Sequence, residues 1–231
     1  KIFVIDKNSE SILNKNNITH TKIVGSMKFD RVKYQLSLNN EVEKIDTIIK
    51  NKRTVVFGST WKEDEELIVN YIKKNKKDNI FWIIAPHDVS KINIDRIKNM
   101  FDRPVSVFSN DLNKSNILII DTIGDLKKLY SYSEISYVGG GMGNTGLHNI
   151  LEACVFEIPV IIGKNYKKFN ESIELVNLHG IISVKNQNEF DEAFNKLIEN
   201  EDFRINKINI IKNYFKGKTG ATNQIIKNLT V

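Results

Sequence analysis

Apolar positions along the chain follow two patterns that alternate. Seven short runs are apolar nearly throughout: Thr54–Phe57, Ile80–Ala85, Val105–Phe108, Ile117–Ile120, Ile135–Val138, Val160–Ile162 and Ile181–Val184. Such runs read as strands buried on both faces. Between them, Glu63–Lys74, Lys91–Met100, Leu126–Tyr132, Leu147–Val155 and Ser172–Leu178 read as helices. Glu63–Lys74 has acids in its first turn and lysines in its last, the order a helix dipole favours. Helices are also predicted over Asn40–Lys50, Glu189–Glu199, Phe203–Phe215 and Thr222–Asn228. Strands alternating with helices predict a parallel sheet covered on both faces. The strands between residues 53 and 184 make one complete α/β domain, a Rossmann-like doubly wound parallel sheet.

The opening is different. Ile2–Ile5 and Lys22–Val24 read as strands and Ser9–Asn14 as a short helix, while Ser26–Leu38 lacks clear periodicity and reads as a connector. Strand, helix and strand are too little to close a domain. The expectation is therefore a remnant of a preceding α/β domain over 1–38 and a second domain over 39–231. A chain that opens inside a strand has the look of a fragment.

Composition narrows the function classes. Hydrophobic residues are 41% and charged residues 27% of 231, so extensive disorder is excluded. No apolar run approaches the roughly 20 residues that span a bilayer. One cysteine, Cys154, excludes a disulfide framework and a Cys-based zinc site. The formal net charge is +6, yet only five of the 34 basic residues are Arg. A nucleic-acid reader would cluster Arg or interleave aromatics on a basic stripe, so nucleic acid is not an expected partner. A diffuse Lys excess suits a solvated surface, or attraction to an anionic surface or substrate.

The sharpest motif is Gly139-Gly140-Gly141-Met142-Gly143-Asn144-Thr145-Gly146-Leu147-His148-Asn149, set between a predicted strand and a predicted helix. Glycines admit close backbone approach to a ligand, and the N–H groups of a helix start favour phosphate. Gly141–Gly146 formally matches G-x-G-x-x-G. A dinucleotide site also needs an acid at the end of the next strand. That strand, Val160–Ile162, runs into Gly163-Lys164 instead. NAD is therefore disfavoured.

These residues resemble a known family. Gly146-Leu147-His148-Asn149-Ile150-Leu151-Glu152, followed by Pro159-Val160-Ile161-Ile162-Gly163, is similar to the G-G-H-N-x-L-E-P and P-V-x-x-G-P signatures of 3-deoxy-D-manno-octulosonic acid (Kdo) transferases. Gly25–Asp30 resembles the segment that closes that family's N-terminal domain. Gly58-Ser59-Thr60 with Glu65-Glu66, Pro86-His87, Asp121–Leu126, and Phe169 with Glu171 resemble further landmarks, in the family's order. The resemblance implies the C-terminal, donor-binding half of a GT-B glycosyltransferase. It implies CMP-Kdo as donor, the lipid A precursor as acceptor, and an anionic inner-membrane surface at the cytoplasmic face. It implies inverting transfer with neither metal nor cofactor, and a base that is a Glu early in the N-terminal domain. The chain departs from the pattern in places. The Arg of P-R-H is absent, and Leu147, Ala153, Lys164 and Lys168 replace a Gly, a Pro, a Pro and an Asn. Lys164 or Lys168 is a candidate for the missing positive charge.

The substrate-binding residues expected on this basis are Ser59, Thr60, Pro86, His87, Gly124, Gly141, Gly143, Gly146, His148, Asn149, Glu152 and Glu171. Gly146–Asn149 would hold the phosphate at the helix start, or Asn149 would merely cap it. Glu152, one helical turn past His148, would accept both ribose hydroxyls, or be a solvated helix acid. Ser59 and Thr60 would bind donor anions or cap the following helix. His87 would contact the nucleotide or the sugar carboxylate. Asp121 and Thr122 would serve as that family landmark or instead form an ordinary Asx-turn and helix start, and Glu171 either binds donor or sits where a helix dipole favours it. A UDP-sugar enzyme of the same fold is the alternative reading.

Overall fold

A computed structural model describes residues 1–49, 52–75, 77–110 and 115–229. The chain divides into two compact units, residues 1–38 with the described residues from 212 on, and residues 39–211. The expected second domain ran to residue 231, whereas its last stretch clusters with residues 1–38.

In the first unit, β1 (Ile2–Val4) and β2 (Thr21–Ile23) pair in parallel across α1 (Lys7–Lys15), with Ile2 opposite Thr21. Asp6 caps α1, accepting the Ser9 N–H at 2.7 Å. Ser26–Leu38 is not the expected connector: it holds α2 (Met27–Tyr34) and a 3₁₀ turn over Gln35–Ser37. Only Phe29 and Val32 of α2 are buried, too few to print a helical period on the sequence. The helix is fixed from outside instead. Phe29 lies 5.9 and 5.5 Å from the rings of Tyr214 and Phe215. The Asp30 carboxylate accepts the N–H groups of Gly220 and Thr222 at 2.5 and 2.7 Å.

The second unit opens with α3 (Glu43–Ile49); Lys50, the end of the helix expected there, lies outside the described residues. Then follow β3 (Arg53–Thr60), α4 (Lys62–Lys74), β4 (Ile80–Pro86), α5 (Lys91–Asn99), β5 (Ser106–Val107) and β6 (Ile117–Ile119). Next come α6 (Leu126–Leu129), β7 (Ile135–Val138), α7 (Leu151–Cys154), β8 (Val160–Gly163), α8 (Asn170–Asn177) and β9 (Ile182–Val184). α9 (Gln187–Glu199) and α10 (Glu201–Phe215) follow, and α11 (Ala221–Leu229) returns to the first unit. The seven strands are all parallel, in the order β5-β6-β4-β3-β7-β8-β9. The expected doubly wound sheet is therefore present, and each of the seven apolar runs supplies one of its strands.

Its centre is dry on both faces. Val56, Phe57, Ile83, Ile84, Tyr137 and Ile161 are all buried. Phe57 stacks on Trp82 with centroids 6.1 Å apart and meets Phe194 of α9 at 5.4 Å. β3 pairs with β4 on one side and β7 on the other. Chain direction across the sheet therefore reverses at β3, and the crevice beyond the carboxyl ends of β3 and β7 is the switch point where open α/β sheets bind ligands.

Candidate functional site

At that crevice β3 does not end smoothly. Its register against β4 shifts between Gly58 and Thr60, and Ser59 sits at φ +52°. A non-glycine residue held in that region stores strain of about 1–3 kcal/mol and persists only where neighbours fix it. Here they do. The Thr60 carbonyl accepts the His87 N–H at 2.9 Å, and the Thr60 hydroxyl donates to Glu65 at 3.1 Å. Glu65 is buried and paired with Arg96 of α5. Burial raises the Glu65 pKa, with Arg96 and Thr60 opposing the rise.

The strand turns into α4 through Trp61 and Asp64. Asp64 is fully buried, and its carboxylate gathers three donors. They are the Tyr137 hydroxyl at 2.6 Å, the Gly140 N–H at 2.8 Å and the Trp61 N–H at 2.9 Å. Burial raises its pKa, while these bonds pull the other way. Asp64 thus ties the start of the glycine loop to the end of β3. From the far side, Asn165 donates its backbone N–H to Gly141 and its amide to Gly143, at 2.8 and 2.7 Å.

Much of the glycine cluster is explained by this packing. A Cβ at Gly139 would enter the backbone of Ser59 and Thr60, one at Gly141 would press on Gly163, and one at Gly143 on the Glu63 carboxylate. Gly146 differs: it holds φ +100°, and a Cβ there meets nothing within 4 Å. Gly124, in the loop before α6, is likewise open at φ +108°.

Three rings meet over the crevice. Trp61 and His87 stack with centroids 4.6 Å apart and planes 24° apart. His148 lies 4.7 Å from His87, and its Nε2 accepts the Trp61 Nε1–H at 3.0 Å. The His148 N–H is held by the Gly139 carbonyl at 3.0 Å. Pro86 ends β4 buried and turns the chain so that His87 stands exposed above Trp61. The structure therefore brings together Ser59, Thr60, Pro86, His87, His148 and the glycine loop, contributed by three separate loops. Burial first, then His87, lowers the pKa of His148.

The Trp61 bond needs a bare Nε2 on His148, hence neutral imidazole. A native pKa below the unfolded value of about 6.5 means the unfolded chain binds more protons in the interval between them. The contribution is complete above that value and is lost as pH falls through the native one. Urea unfolding between pH 8 and 5 should show a falling midpoint and a shift in Trp61 fluorescence at the acid end. In His148→Gln, which takes up no proton, that part of the slope should vanish; an unchanged slope would remove His148 from the account.

Other expected residues stand differently. The helix predicted from Leu147 begins only at Leu151, just after Ile150 at φ −66°, and has one turn, because the positive φ of Gly146 and the Gly139–His148 bond keep Leu147, His148 and Asn149 out of the helix. Gly146–Asn149 is therefore a loop and not a helix start. Asn149 takes the capping role: its side-chain oxygen accepts the Leu151 N–H at 3.2 Å. Its amide donates to Glu152 at 3.3 Å, and Lys127 of α6 lies 3.6 Å from the same Glu152 oxygen. Glu152 thus turns toward α6, with no intervening helix to set it beneath His148. Asp121 accepts from Ser109, and Thr122 donates to Asp125 at 2.6 Å, so both belong to turns. Glu171 lies in the first turn of α8, and Lys164 and Lys168 are exposed. Among the described residues no His, Cys, Asp and Glu cluster could hold a metal ion.

Trp61, Asp64 and Asn165 were not anticipated. An acid three residues past Trp61, at the head of a predicted helix, is a capping signal that pointed to Asp64. Trp61 and Asn165 left no signal that sequence spacing alone reads.

No family model matches the chain. It is 29% identical over 213 residues to a bifunctional glycosyltransferase/methyltransferase of Fusobacterium nucleatum, covering 82% of this chain and 32% of that protein. It is 27% identical over 242 residues to a 3-deoxy-D-manno-octulosonic acid transferase of Rickettsia conorii, covering 99% and 52%. Among solved structures it resembles the C-terminal CMP-Kdo binding domain of WaaA from Acinetobacter baumannii. There the TM-score is 0.63 at 20% identity, over 81% of this chain and 98% of that one. It also resembles a UDP-GlcNAc 2-epimerase from Neisseria meningitidis, at TM-score 0.67 and 18% identity, over 98% and 60%. The fold is that of the Rossmann-like domains of GT-B glycosyltransferases and epimerases. By sequence the chain is a relative of the 3-deoxy-D-manno-octulosonic acid transferases, the family its motifs resemble. It spans between about a third and a half of the length of the curated relatives it matches.

Proposed function

We propose that residues 39–211 bind the donor of a Kdo transferase, which moves Kdo from CMP-Kdo to the lipid A precursor. The acceptor hydroxyl oxygen bonds to the anomeric carbon, the bond from that carbon to the phosphate oxygen breaks, and CMP departs. Attack opposite the leaving phosphate inverts the anomeric centre. The crevice orients the nucleotide and stabilises the charge growing on the phosphate. A base removes the hydroxyl proton. By the family resemblance it is a Glu in the length this chain does not span, and residues 1–38 end the domain that carries it. The acceptor and the anionic cytoplasmic face of the inner membrane are partners of the whole enzyme.

What carries the reading is the meeting of His87 and His148 around Trp61 at the switch point. These two histidines come from the segments that resemble P-R-H and G-G-H-N, distant in sequence. The ring cluster offers a face for a base or sugar, and two N–H donors for an anion. Glu152 keeps 24% of its side chain exposed and remains the acid available to ribose hydroxyls.

Parallel calorimetric titration with CMP, UMP and NADH tests the reading. CMP should bind in preference, and His87→Ala and Glu152→Ala should each weaken it by about tenfold, the loss of one good polar contact. Preference for UMP would reassign the chain to a UDP-sugar enzyme, and NADH binding would overturn the reading. The 231-residue chain alone should transfer no Kdo.

A further inference from the structure

A cleft of about 730 Å³ runs along β9, an edge strand of the sheet, and none of Trp61, His87 and His148 lines it. Its walls are the loop after β8, β9 itself, and the facing sides of α9 and α10. Lys164, Lys167, Lys185, Lys196 and Lys207 line it, against two carboxylates, Glu189 and Glu192. Glu189 is occupied in part, since it accepts the Lys185 backbone N–H at 2.9 Å.

Among the described residues no ion pair joins any of these lysines to a carboxylate. Lys207 is the unusual member, with only 7% of its surface exposed. Its ammonium donates to the His179 carbonyl at 2.6 Å, a single neutral partner for a group with three donors. Lys196 and Lys207 converge on the ring of Phe203, 4.2 and 4.7 Å from its centroid. Burial, then the neighbouring Lys196, lowers the Lys207 pKa.

Lysines on an edge strand have a plain use, since they keep other strands from pairing there. That use needs charge on the strand itself. β9 carries none, and Lys196 and Lys207 project from helices, Lys207 into the interior. Five flexible point charges around one cavity suit a ligand that brings close to two negative charges and several acceptor oxygens. A phosphomonoester does so, whereas a single carboxylate brings half the charge.

We propose that this cleft is a binding site for a phosphomonoester, either free in solution or as a lipid headgroup. Its test is separable from the donor reading, because Lys167 and Lys196 line this cleft and belong neither to the ring cluster nor to the expected donor-binding residues.

The test titrates the whole chain with inorganic phosphate by calorimetry. In parallel, co-sedimentation is measured with phosphatidylcholine vesicles, with and without phosphatidic acid. Lys167→Gln with Lys196→Gln removes two exposed charges of the cleft, and Lys91→Gln with Lys98→Gln on α5 is the control of equal net charge. Both doubles change exposed side chains, so unfolding curves should match wild type. Saturable binding that weakens at least about tenfold in the cleft double, and little in the control, is expected. Phosphatidic acid vesicles retained by wild type and lost by the cleft double would make a headgroup the source. Free phosphate bound without vesicle retention would make it a soluble ester. Absence of both, or equal weakening in the two doubles, overturns the site.

Discussion

Asp64→Ala should lower the free energy of unfolding by about 3–5 kcal/mol and abolish nucleotide binding in whatever fraction remains folded. The carboxylate is fully buried and satisfies the Tyr137 hydroxyl and the N–H groups of Gly140 and Trp61. Its removal strands those donors in a place water does not reach, and opens a small cavity beside them. Asp64→Asn separates hydrogen bonding from charge. Its carbonyl can serve Gly140 and Trp61 while its amide donates to the Tyr137 oxygen, which reverses roles. That variant should cost about 1–2 kcal/mol. Urea denaturation of both gives the answer. A loss below about 1 kcal/mol in Asp64→Ala would show that the loop is held by packing and not by this carboxylate.

The variant also bears on why sequence reading succeeded where it did. The strands were legible because each carries a short run that is mostly apolar, and β4, β6 and β8 in the interior of the sheet are buried along their whole length. α2 was invisible for the opposite reason. Two buried residues hold it, and its partners, Tyr214, Phe215, Gly220 and Thr222, lie nearly two hundred residues away. The helix after the glycine cluster was overdrawn because Leu147, Ile150, Leu151 and Cys154 keep helical spacing. Gly146 at φ +100° and a backbone bond from His148 to Gly139 override that period. Periodicity reports which residues are buried, and it says nothing of how the backbone between them is bonded.

The site shows the same division. His87 and His148 were found because motif spacing marks them. What makes them a pair is Trp61, whose indole stacks on one and donates to the other. Thr60 was expected to bind donor anions or cap the following helix; its hydroxyl donates to Glu65, which pairs with Arg96 on another helix. Local sequence cannot tell a hydroxyl that faces a crevice from one that faces inward, since both follow a strand and precede a helix. Only the register shift at Ser59 decides which way each side chain turns.

Gly140→Ala is the second large effect to expect, and it separates two roles that glycines play here. Gly140 holds φ +87°, and a Cβ would be driven into the carbonyl of Gly146 and onto the His148 ring. Both the backbone conformation and the contact oppose the methyl group, and because the obstacle is main chain it cannot rotate away. The loss should be about 2–4 kcal/mol. It should also shift His148 relative to Trp61, so CMP binding should weaken by more than the lost stability alone explains. Gly146→Ala meets the same kind of φ penalty, +100°, but open space within 4 Å. It should cost about 1–2 kcal/mol and, if the open face receives the donor, still block it. Measured side by side, urea midpoints rank the two by crowding, and CMP titration ranks them by contact with ligand. Equal losses of stability would mean that the Gly140–Gly146 contact relaxes, and that the loop takes its shape from backbone conformation alone.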